Sequence, residues 1–564
     1  MRLIFLILMA FILPAAYAAY PAPVSAKNGM VVSEQQIASE VGVDILKQGG
    51  NAVDAAVAVG YALAVVNPCC GNIGGGGFML IHLANGENVF LNFREKAPLA
   101  ASPMMYLDEK GQLIPDKSTY GYAAVGVPGT VMGLEVALKK YGTMTRQQVM
   151  APAIRLAEKG YVLGPGDVFI FEKGLKGFAK QPNVAAIFLK NGKPYEAGDR
   201  LVQKKLANTL RLISKNGSDV FYKGKIAQEI VKESQQNGGY LSLKDFAHYN
   251  VEELKPIECG YKDINVFSAP PPSSGGVALC EMLNILEGYS LKKMGLYSAE
   301  SAHYIIEAMR FAFADRNNKL GDPNFVKNPV EELISDEYAA KVRIRINPDK
   351  VTSSSSLVEL VPQAQKPEGE NTTHFSVVDK WGNAVAVTYT INRFFGAYVI
   401  AGDTGFFLND EMDDFAAKPG EANQFGLVQG EANNIQPGKR PLSSMMPTIV
   451  MKDNKPLIVL GSPGGPRIIS SVLLTILNMV EYGLDVQAAV DAPRFHQQWL
   501  PEWVDIEKPF VFSKDTIEKL KAMGYELKYH EPWSAVEAIY IDPKSGMLFG
   551  GSDNRKASGG AVGY

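Results

Sequence analysis

A hairpin near residue 380 is the clearest pattern of hydrophobic and polar positions in the chain. The runs 375–378 (FSVV) and 384–391 (AVAVTYTI) are apolar or β-prone, and the intervening DKWGN, centred on Trp381, has the composition of a turn. Thr372 and Thr390 are each nine residues from this centre, so the pattern predicts that they are cross-strand neighbours. Opposed residues of an antiparallel pair lie about 4.5–5.5 Å apart, which lets two hydroxyl groups share a hydrogen bond. A slip of one residue would remove the pairing.

Elsewhere the pattern predicts helices mainly in the first half and further hairpins in the second. Residues 52–66 are almost wholly apolar with small side chains, which predicts a helix buried on all sides. Ser33 and Gln36 match a capping box ahead of a helical stripe that ends at Gly49-Gly50. The turn Asn85-Gly86 predicts a hairpin. Other predicted helices cover 131–138, 147–156, 277–286, 301–313 and 467–477, and other predicted hairpins cover 448–460 and 536–550.

Four successive glycines at 74–77 have the composition of a phosphate-binding loop. The run leads into a strand, however, whereas a dinucleotide or P-loop fingerprint requires a helix at that point. We therefore expect a segment of backbone that is packed too tightly to admit a Cβ atom.

Composition indicates an ordinary globular protein with an export signal. The chain has 564 residues, 46% hydrophobic and 20% charged residues, and a formal net charge of −3, which argues against a nucleic-acid partner. Arg2, the apolar run 3–13 and Ala16-Tyr17-Ala18 predict a secretory signal peptide over residues 1–18. A retained membrane anchor is the alternative, but the run is short for a bilayer. We expect a periplasmic or secreted protein without a stable membrane anchor.

The cysteines and histidines do not indicate a metal site. Neither the C-x-x-C spacing nor an H-E-x-x-H motif occurs, so we predict no catalytic metal and no cofactor. Adjacent cysteines rarely bridge each other, so we expect Cys69 and Cys70 not to pair. For Cys259 and Cys280, a disulfide and buried free thiols both stay open.

The polar segment Lys350–Asn371 precedes Thr372 directly. It is poor in large apolar residues and contains four consecutive serines, which predicts a mobile segment. A peptide bond that is to be cleaved needs a flexible segment of chain on at least one side. A threonine hydroxyl is a weak nucleophile unless a base takes its proton, and one such base is the threonine's own α-amino group, which exists only if the chain is cut just before it.

The hairpin resembles the signature of the γ-glutamyltranspeptidases (glutathione hydrolases). That signature has a Thr, a small residue and His, then a hydroxyl residue, Gly-Asn, Thr-x-Thr, an aromatic residue and Gly. Here these are Thr372, Thr373, His374, Ser376, Gly382, Asn383, Thr388, Thr390, Phe395 and Gly396. The alternative is a two-stranded edge with a polar start, in which Asn371-Thr372-Thr373 is a glycosylation sequon.

Other motifs follow in the order of the family, and the resemblance implies their roles. A planar guanidinium suits a carboxylate, and acidic side chains suit an ammonium group. The implied contacts are Arg94, Ser443 and Ser444 for the substrate α-carboxylate, Glu411 and Asp414 for its α-ammonium, and Asn392 for a further polar contact.

The resemblance also implies an oxyanion site and a lid. Gly464 and Gly465 lie at a strand-to-helix turn, where backbone N–H groups face the positive end of a helix dipole, and the family places the oxyanion there. Residues 418–430 resemble the lid loop of many members. Its usual tyrosine is Phe425 here, an exposed-looking ring without the hydroxyl group.

The resemblance covers residues 26–564 and implies an α+β fold, the four-layer αββα sandwich of the N-terminal nucleophile hydrolases. Cleavage between Asn371 and Thr372 would give a large subunit (19–371), mostly helical, and a small catalytic subunit (372–564) with the central hairpins, held as one heterodimeric core.

The implied activity is cleavage of the γ-glutamyl amide of glutathione and its conjugates through an ester on Thr372, assisted by Thr390. The glutamyl group then passes to water or to an amino acid or peptide. The alternatives are an acylase of the same fold, acting on a cephalosporin side chain or poly-γ-glutamate, and an exported binding protein that is not processed.

Overall fold

The computed structural model describes residues 21–358, 372–509 and 512–564. The predicted signal peptide, residues 359–371 of the polar segment and Asn371 of the predicted cleavage site lie outside the described residues.

Two seven-stranded sheets form the centre of the protein, and two small sheets lie at its periphery. The strands are β1 (Val24–Ala26), β2 (Met30–Ser33), β3 (Gly76–His82), β4 (Asn88–Phe93), β5 (Tyr161–Val162), β6 (Arg200–Leu201), β7 (Glu252–Leu254), β8 (Ile257–Tyr261), β9 (Ile264–Ser268), β10 (Thr373–Val378), β11 (Ala384–Thr390), β12 (Thr448–Lys452), β13 (Lys455–Gly461), β14 (Phe495–His496), β15 (Val504–Glu507), β16 (Leu527–His530), β17 (Glu537–Ile541), β18 (Leu548–Ser552) and β19 (Gly560–Gly563). The large sheets have the orders β19-β2-β10-β11-β3-β4-β7 and β1-β18-β17-β13-β12-β9-β8, and the small sheets are β14-β15-β16 and β5-β6.

Helices cover the outer faces of the two large sheets. They are α1 (Gln36–Lys47), α2 (Ala52–Val66), α3 (Thr130–Tyr141), α4 (Arg146–Lys159), α5 (Pro165–Phe178), α6 (Pro182–Phe188), α7 (Lys204–Asn216), α8 (Asp219–Tyr222), α9 (Lys225–Gln236), α10 (Leu243–Ala247), α11 (Gly275–Glu287), α12 (Leu291–Met294), α13 (Ala299–Lys319), α14 (Val330–Leu333), α15 (Asp336–Arg345), α16 (Arg467–Val480), α17 (Val486–Asp491) and α18 (Lys514–Ala522).

The alternation of side chains along β10 and β11 separates the two hydrophobic cores. Val385 and Val387 face outward and pack in one core with α1, α2 and α3. Ala384 and Ala386 face inward and pack in a second core, with the other large sheet and with α11, α13 and α16. The order helix, sheet, sheet, helix confirms the predicted αββα sandwich. The first half of the chain is less purely helical than expected, since it also contributes β2, β3, β4 and β7 to the sheet of the hairpin.

The predicted hairpin has the predicted register. Thr373 pairs with Tyr389 and Phe375 with Val387, which places Thr372 opposite Thr390. Strand β10 is not an edge, because β2 pairs with its other side. The alternative of an exposed two-stranded edge is therefore wrong.

The glycine run is packed as expected. A Cβ atom on Gly75 would lie 1.8 Å from the carbonyl oxygen of Thr390, and one on Gly77 would lie 2.4 Å from that of Thr388. Any side chain at these positions would force β3 away from β11. The buried helix is also confirmed, because every residue of α2 is buried, and Asn51 caps it by accepting from the N–H groups of Val53 and Asp54.

Two local predictions differ from the structure because strand pairing and packing decide them. Ser33 ends β2 and donates to the Gln35 carbonyl at 2.9 Å instead of capping α1, so the predicted capping box is wrong. The C-terminal strand β19 pairs with β2 and places Gly560 opposite Ser33. The start of the polar segment is held in place, because the buried Ser354 hydroxyl donates to the Trp499 carbonyl at 2.7 Å and accepts from Arg310 at 2.8 Å.

Both cysteine pairs are bridged. The Cys259–Cys280 disulfide joins β8 to α11, which decides between the two open alternatives. Cys69 and Cys70 also form a disulfide, so the expectation that these neighbours do not pair is wrong. Their carbonyl groups accept from the N–H groups of Phe395 (2.8 Å) and Ile391 (2.9 Å), which ties this turn to the end of β11.

Removing the Cys259–Cys280 bridge should lower stability. The bond closes a loop with a sequence separation of 21 residues, and a loop of this size restricts the unfolded chain by about 3 kcal/mol. We expect Cys259→Ala/Cys280→Ala to unfold at a lower urea concentration than the parent protein. Each single substitution should show the full loss, because either one opens the same loop. Losses that add between the two sites would show that side-chain packing, and not the bond, carries the effect.

Candidate active site

The two threonines of the hairpin form a buried hydroxyl pair. Thr372 precedes β10, and its Oγ1 donates to Oγ1 of Thr390 at 3.2 Å. The Thr390 hydroxyl in turn accepts from the N–H of Asn392 at 2.9 Å. Thr372 has φ +112°, in the region that glycine favours, which is strained for a β-branched residue. The strain lies at the bond where cleavage is predicted.

The structure brings most of the predicted site residues together around one small cavity. The predicted residues that line it are Arg94, Thr372, Thr390, Asn392, Glu411, Asp414, Phe425, Ser443, Ser444 and Gly465. Gly464 is the neighbour of a lining residue. Arg94 directly follows β4, the two threonines belong to the hairpin, and the other residues come from separate segments between residues 392 and 465, so tertiary packing assembles the site.

Arg94 lines the cavity together with acidic side chains. It is fully buried, and its guanidinium donates to carboxylate oxygens of Glu411 and Asp414. Oε2 of Glu95 lies 3.5 Å from the same guanidinium. One arginine thus faces three acidic side chains.

Electrostatics at this end favour the entry of a cation. Burial raises the pKa of Glu95 to about 7, against the attraction of Arg94, and burial also raises the pKa of Glu411 well above its ordinary value. Burial alone would lower the pKa of Arg94, but its acidic neighbours raise it. An ammonium group would supply the missing positive charge and stabilise the ionised carboxylates, while Arg94 bound a carboxylate of the same molecule.

Arg316 belongs to the site and was missed from the sequence. It lies near the end of α13, is buried, and donates to the Ser444 hydroxyl at 3.2 Å and to the Ser274 hydroxyl at 3.1 Å. Burial lowers its pKa to about 10, although Asp414 acts in the opposite direction. The apolar spacing at 301–313 predicted the helix. It did not indicate that Arg316, three residues after this range, reaches the cavity.

The serine pair is anchored to the segment before α11. The Ser443 carbonyl accepts from the N–H (2.8 Å) and the hydroxyl (2.7 Å) of Ser274. The Ser443 hydroxyl accepts from the N–H of Met445 at 3.0 Å. The stretch 268–276, which is rich in Pro, Ser and Gly, therefore positions Ser443 from the other half of the chain.

The glycine turn has free N–H groups. Gly464 and Gly465 have φ of +123° and +56° and precede α16. Within the residues that the structure describes, neither N–H donates a hydrogen bond. A Cβ atom on Gly464 would lie 2.1 Å from the Ser534 hydroxyl oxygen, so only glycine fits. Two unsatisfied donors at a helix start suit a developing negative charge.

Phe425 is buried in the site and not exposed as its loop suggested. Its exposed fraction is 5%, and a Cβ atom on Gly465 would lie 2.9 Å from its ring. Its carbonyl accepts from Gln498 at 3.2 Å. The loop therefore packs over the glycine turn, because the apolar ring finds a buried surface there.

The described parts of the chain contain neither a metal-binding cluster nor a membrane-spanning helix. In residues 21–358, 372–509 and 512–564 there is no group of three His, Cys, Asp or Glu side chains placed to hold a metal ion. No helix in those ranges has the length and apolarity needed to cross a membrane.

Two stacked sheets between helical layers, with a buried threonine at the head of a central strand, define the class of the N-terminal nucleophile hydrolases. The model of the γ-glutamyltranspeptidase family matches residues 38–563, and the chain belongs to that family.

Relatives and solved structures agree with this assignment. The chain is 56% identical to a glutathione hydrolase proenzyme of Pseudomonas sp. (strain A14) over 557 residues, which is 97% of this chain and 96% of the relative. The crystal structure of Helicobacter pylori γ-glutamyltranspeptidase is 45% identical, covers 61% of this chain and 97% of its own, and has a TM-score of 0.57. Cephalosporin acylase from Bacillus halodurans is 28% identical, covers 99% of both chains, and has a TM-score of 0.85.

Proposed function

We infer that this protein is a self-processing γ-glutamyltransferase and glutathione hydrolase. The observation that carries the inference is one buried cavity that holds both a nucleophile and a complete set of contacts for an amino-acid head group. The Thr372–Thr390 pair and Arg94 with its partners Glu411 and Asp414 line this same cavity. A free α-amino acid whose side chain ends in an amide fits this arrangement, and the γ-glutamyl group is such a molecule.

Processing begins at the strained residue. The Thr372 hydroxyl attacks the carbonyl carbon of Asn371, and the peptide bond between the two residues breaks as an ester forms on Oγ1. The hydroxyl proton passes to the departing nitrogen, which becomes the free α-amine of Thr372. Water then hydrolyses the ester. This leaves a large chain, residues 19–371, and a small chain, residues 372–564.

Catalysis uses the same hydroxyl with the new amine as its base. The amine takes the hydroxyl proton while Oγ1 attacks the γ-carbonyl of glutathione, and the Thr390 hydroxyl orients the attacking oxygen. The N–H groups of Gly464 and Gly465 stabilise the oxyanion. The leaving amine takes the proton from Thr372, and a γ-glutamyl ester is left. Water, or the amine of an amino acid or peptide, then attacks the ester carbonyl and gives a proton to the Thr372 amine. The ester bond breaks, Oγ1 of Thr372 takes that proton to restore the hydroxyl, and the glutamyl group leaves on the acceptor.

The head-group contacts distinguish this function from that of an acylase of the same fold. Arg94, Ser443 and Ser444 are assigned to the α-carboxylate, and Glu411 and Asp414 to the α-ammonium. A glutaryl substrate has no ammonium and would leave the acidic pair without the additional cation that an α-ammonium group supplies beside Arg94. Because a charged hydrogen bond contributes about 1.5–3 kcal/mol, we expect kcat/KM for a γ-glutamyl anilide to exceed that for the glutaryl anilide by at least about tenfold. Equal rates, or a preference for glutaryl, would favour the acylase.

Denaturing electrophoresis with N-terminal sequencing tests the processing. We expect two bands, with the small chain beginning Thr372-Thr373-His374 and the large chain beginning after Ala18 if the protein is exported and loses its signal peptide. A γ-glutamyl anilide assay on the same sample tests turnover. A single intact band that binds glutamate analogues without turnover would instead identify an unprocessed binding protein.

A further inference from the structure

The disulfide between Cys69 and Cys70 lies in the buried turn between α2 and β3. A disulfide stabilises a fold by restricting the unfolded chain, and this effect grows with the length of the loop that the bond closes. A bond between neighbours closes the shortest possible loop, so it contributes less in this way than the Cys259–Cys280 bond does. The ring that it closes contains the single peptide unit between the two residues. The bond therefore acts mainly by fixing the local backbone.

Backbone hydrogen bonds join this turn to the segment that follows β11. The Cys70 carbonyl accepts from the N–H of Ile391 at 2.9 Å, and the Cys69 carbonyl accepts from the N–H of Phe395 at 2.8 Å. These two bonds bracket Asn392, which lines the cavity. Asn392 has φ +75°, in the left-handed region, and a residue keeps that conformation only where the surrounding structure holds it. The two cysteine carbonyls are part of what holds it.

Asn392 in turn contacts the hydroxyl pair. Its N–H donates to the Thr390 hydroxyl at 2.9 Å, and its side-chain amide donates to the Asp410 carbonyl at 3.0 Å. The Thr390 hydroxyl is the group that accepts from Thr372. A change in the direction of either cysteine carbonyl would thus move Asn392 and, through it, reorient the Thr390 hydroxyl.

The same turn also contacts the start of β10. The amide of Asn67 donates to the Thr373 hydroxyl at 3.4 Å, and a Cβ atom on Gly71 would lie 2.2 Å from Cγ2 of Thr373. Sγ of Cys69 lies 3.1 Å from Oδ1 of Asn67. A disulfide sulfur carries no hydrogen, whereas a thiol is a weak donor. Reduction would therefore add a hydrogen bond to the side chain that contacts the residue after the nucleophile.

We propose that the Cys69–Cys70 disulfide positions the Thr372–Thr390 pair and Asn392 for catalysis, and that its reduction by thiol compounds lowers the activity reversibly. In this reaction the S–S bond breaks and each cysteine becomes a thiol. The two electrons and two protons come from two thiol groups of the reductant, which are oxidised to a disulfide. Neither cysteine is among the residues that line the cavity, so both are positioning residues. This assignment rests on the proposed function and adds redox control of the same site.

Hydrolysis of a γ-glutamyl anilide by the processed protein, before and after reduction with dithiothreitol, tests the proposal. The anilide contains no thiol and does not exchange with the disulfide. We expect kcat to fall by at least about tenfold, because a shift of about 1 Å in the catalytic geometry costs up to about 10²-fold in rate. Removing the dithiol and reoxidising the protein should restore kcat. Alkylation followed by peptide mass analysis measures which cysteines are reduced in each sample.

Two matched double variants show which bond is responsible. Cys259→Ala/Cys280→Ala leaves only the neighbouring pair to be reduced and should lose activity in the dithiol as the parent does. Cys69→Ala/Cys70→Ala should have the lowered kcat from the start, keep nearly the parent unfolding midpoint, and not respond to the dithiol. A bond that only stabilises the fold would instead lower the midpoint and leave kcat of the folded protein unchanged. If Cys259→Ala/Cys280→Ala does not fold, the parent and Cys69→Ala/Cys70→Ala decide the same question.

The untreated parent separates the failure of this proposal from that of the proposed function. A parent protein that does not hydrolyse the anilide overturns both. An active parent that keeps its kcat when Cys69 and Cys70 are thiols, or an unchanged kcat in Cys69→Ala/Cys70→Ala, overturns the positioning role alone. A bond that stays intact in the folded protein in excess dithiol refutes the redox control. An equal response of Cys69→Ala/Cys70→Ala and the parent to the dithiol would assign the effect to Cys259–Cys280.

Discussion

Thr372→Ala should yield a single uncleaved chain with no γ-glutamyl turnover. The substitution removes the hydroxyl that attacks the Asn371 carbonyl and the hydroxyl that carries the glutamyl ester, so both reactions lose their nucleophile. Loss of a catalytic hydroxyl in a hydrolase lowers kcat on the order of 10⁶-fold. Electrophoresis after prolonged incubation measures cleavage, and release of the anilide measures turnover.

The control for this variant keeps the hydroxyl. Thr372→Ser retains a nucleophile and loses only a methyl group, so it should still be cleaved, and its small chain should begin with serine. Both variants should unfold at nearly the parent temperature, because the Thr372 hydroxyl contributes one hydrogen bond, the 3.2 Å contact with Thr390. A cleaved and active alanine variant would overturn the mechanism.

Arg94→Lys should lower kcat/KM for the γ-glutamyl anilide by about 10²–10³-fold. Among the described residues, Arg94 is the only arginine that forms ion pairs with Glu411 and Asp414. The ammonium group of a lysine is not planar and cannot donate two parallel hydrogen bonds as a guanidinium does. A loss of about 3–4 kcal/mol in substrate and transition-state binding corresponds to this factor. Most of the loss should be in KM if Arg94 binds the α-carboxylate equally in the ground state and in the transition state.

Two further variants show whether the loss comes from binding or from folding. Arg94→Met leaves Glu95, Glu411 and Asp414 buried without their counterion, which costs about 3–5 kcal/mol of stability, so this variant should unfold at a lower urea concentration or fail to process. Arg146→Lys alters another arginine–carboxylate pair, with Glu135, at a partly exposed site, where such pairs contribute about 1 kcal/mol or less. It should keep parent activity. An unchanged kcat/KM in Arg94→Lys would remove Arg94 from the substrate site.

The hairpin and the glycine run were predictable because they depend on short-range patterns. Alternation about Trp381 is enough to place Thr372 opposite Thr390, since each residue of a strand has one partner once the turn is known. The glycine run at 74–77 was predictable for a similar reason. A strand follows it, which excludes a phosphate-binding loop and leaves close contact between backbone segments as the explanation for four glycines. The resemblance to the γ-glutamyltranspeptidases added roles for residues that no local pattern connects.

The errors arose where distant parts of the chain compete for the same residue. Ser33 has the sequence of a helix cap, but β10 and β19 pair with its strand and hold it in the sheet. Phe425 lies in a polar loop that suggests exposure, yet its ring is buried against Gly465. Adjacent cysteines seldom bridge, but Cys69 and Cys70 do so in a turn that the end of β11 holds in place.

By itself the sequence determined the hairpin and its register, which follow from alternation and turn residues along one short segment. The order of its motifs gave the resemblance to the γ-glutamyltranspeptidases, and that resemblance implied the layered fold and Thr372 as the proposed nucleophile. Only the tertiary structure decided that Arg316 and Ser274 support the serine pair and that three carboxylates share one arginine. These features depend on which side chains meet across the interior, and residues far apart in the chain carry no local sign of the partner that packing brings to them.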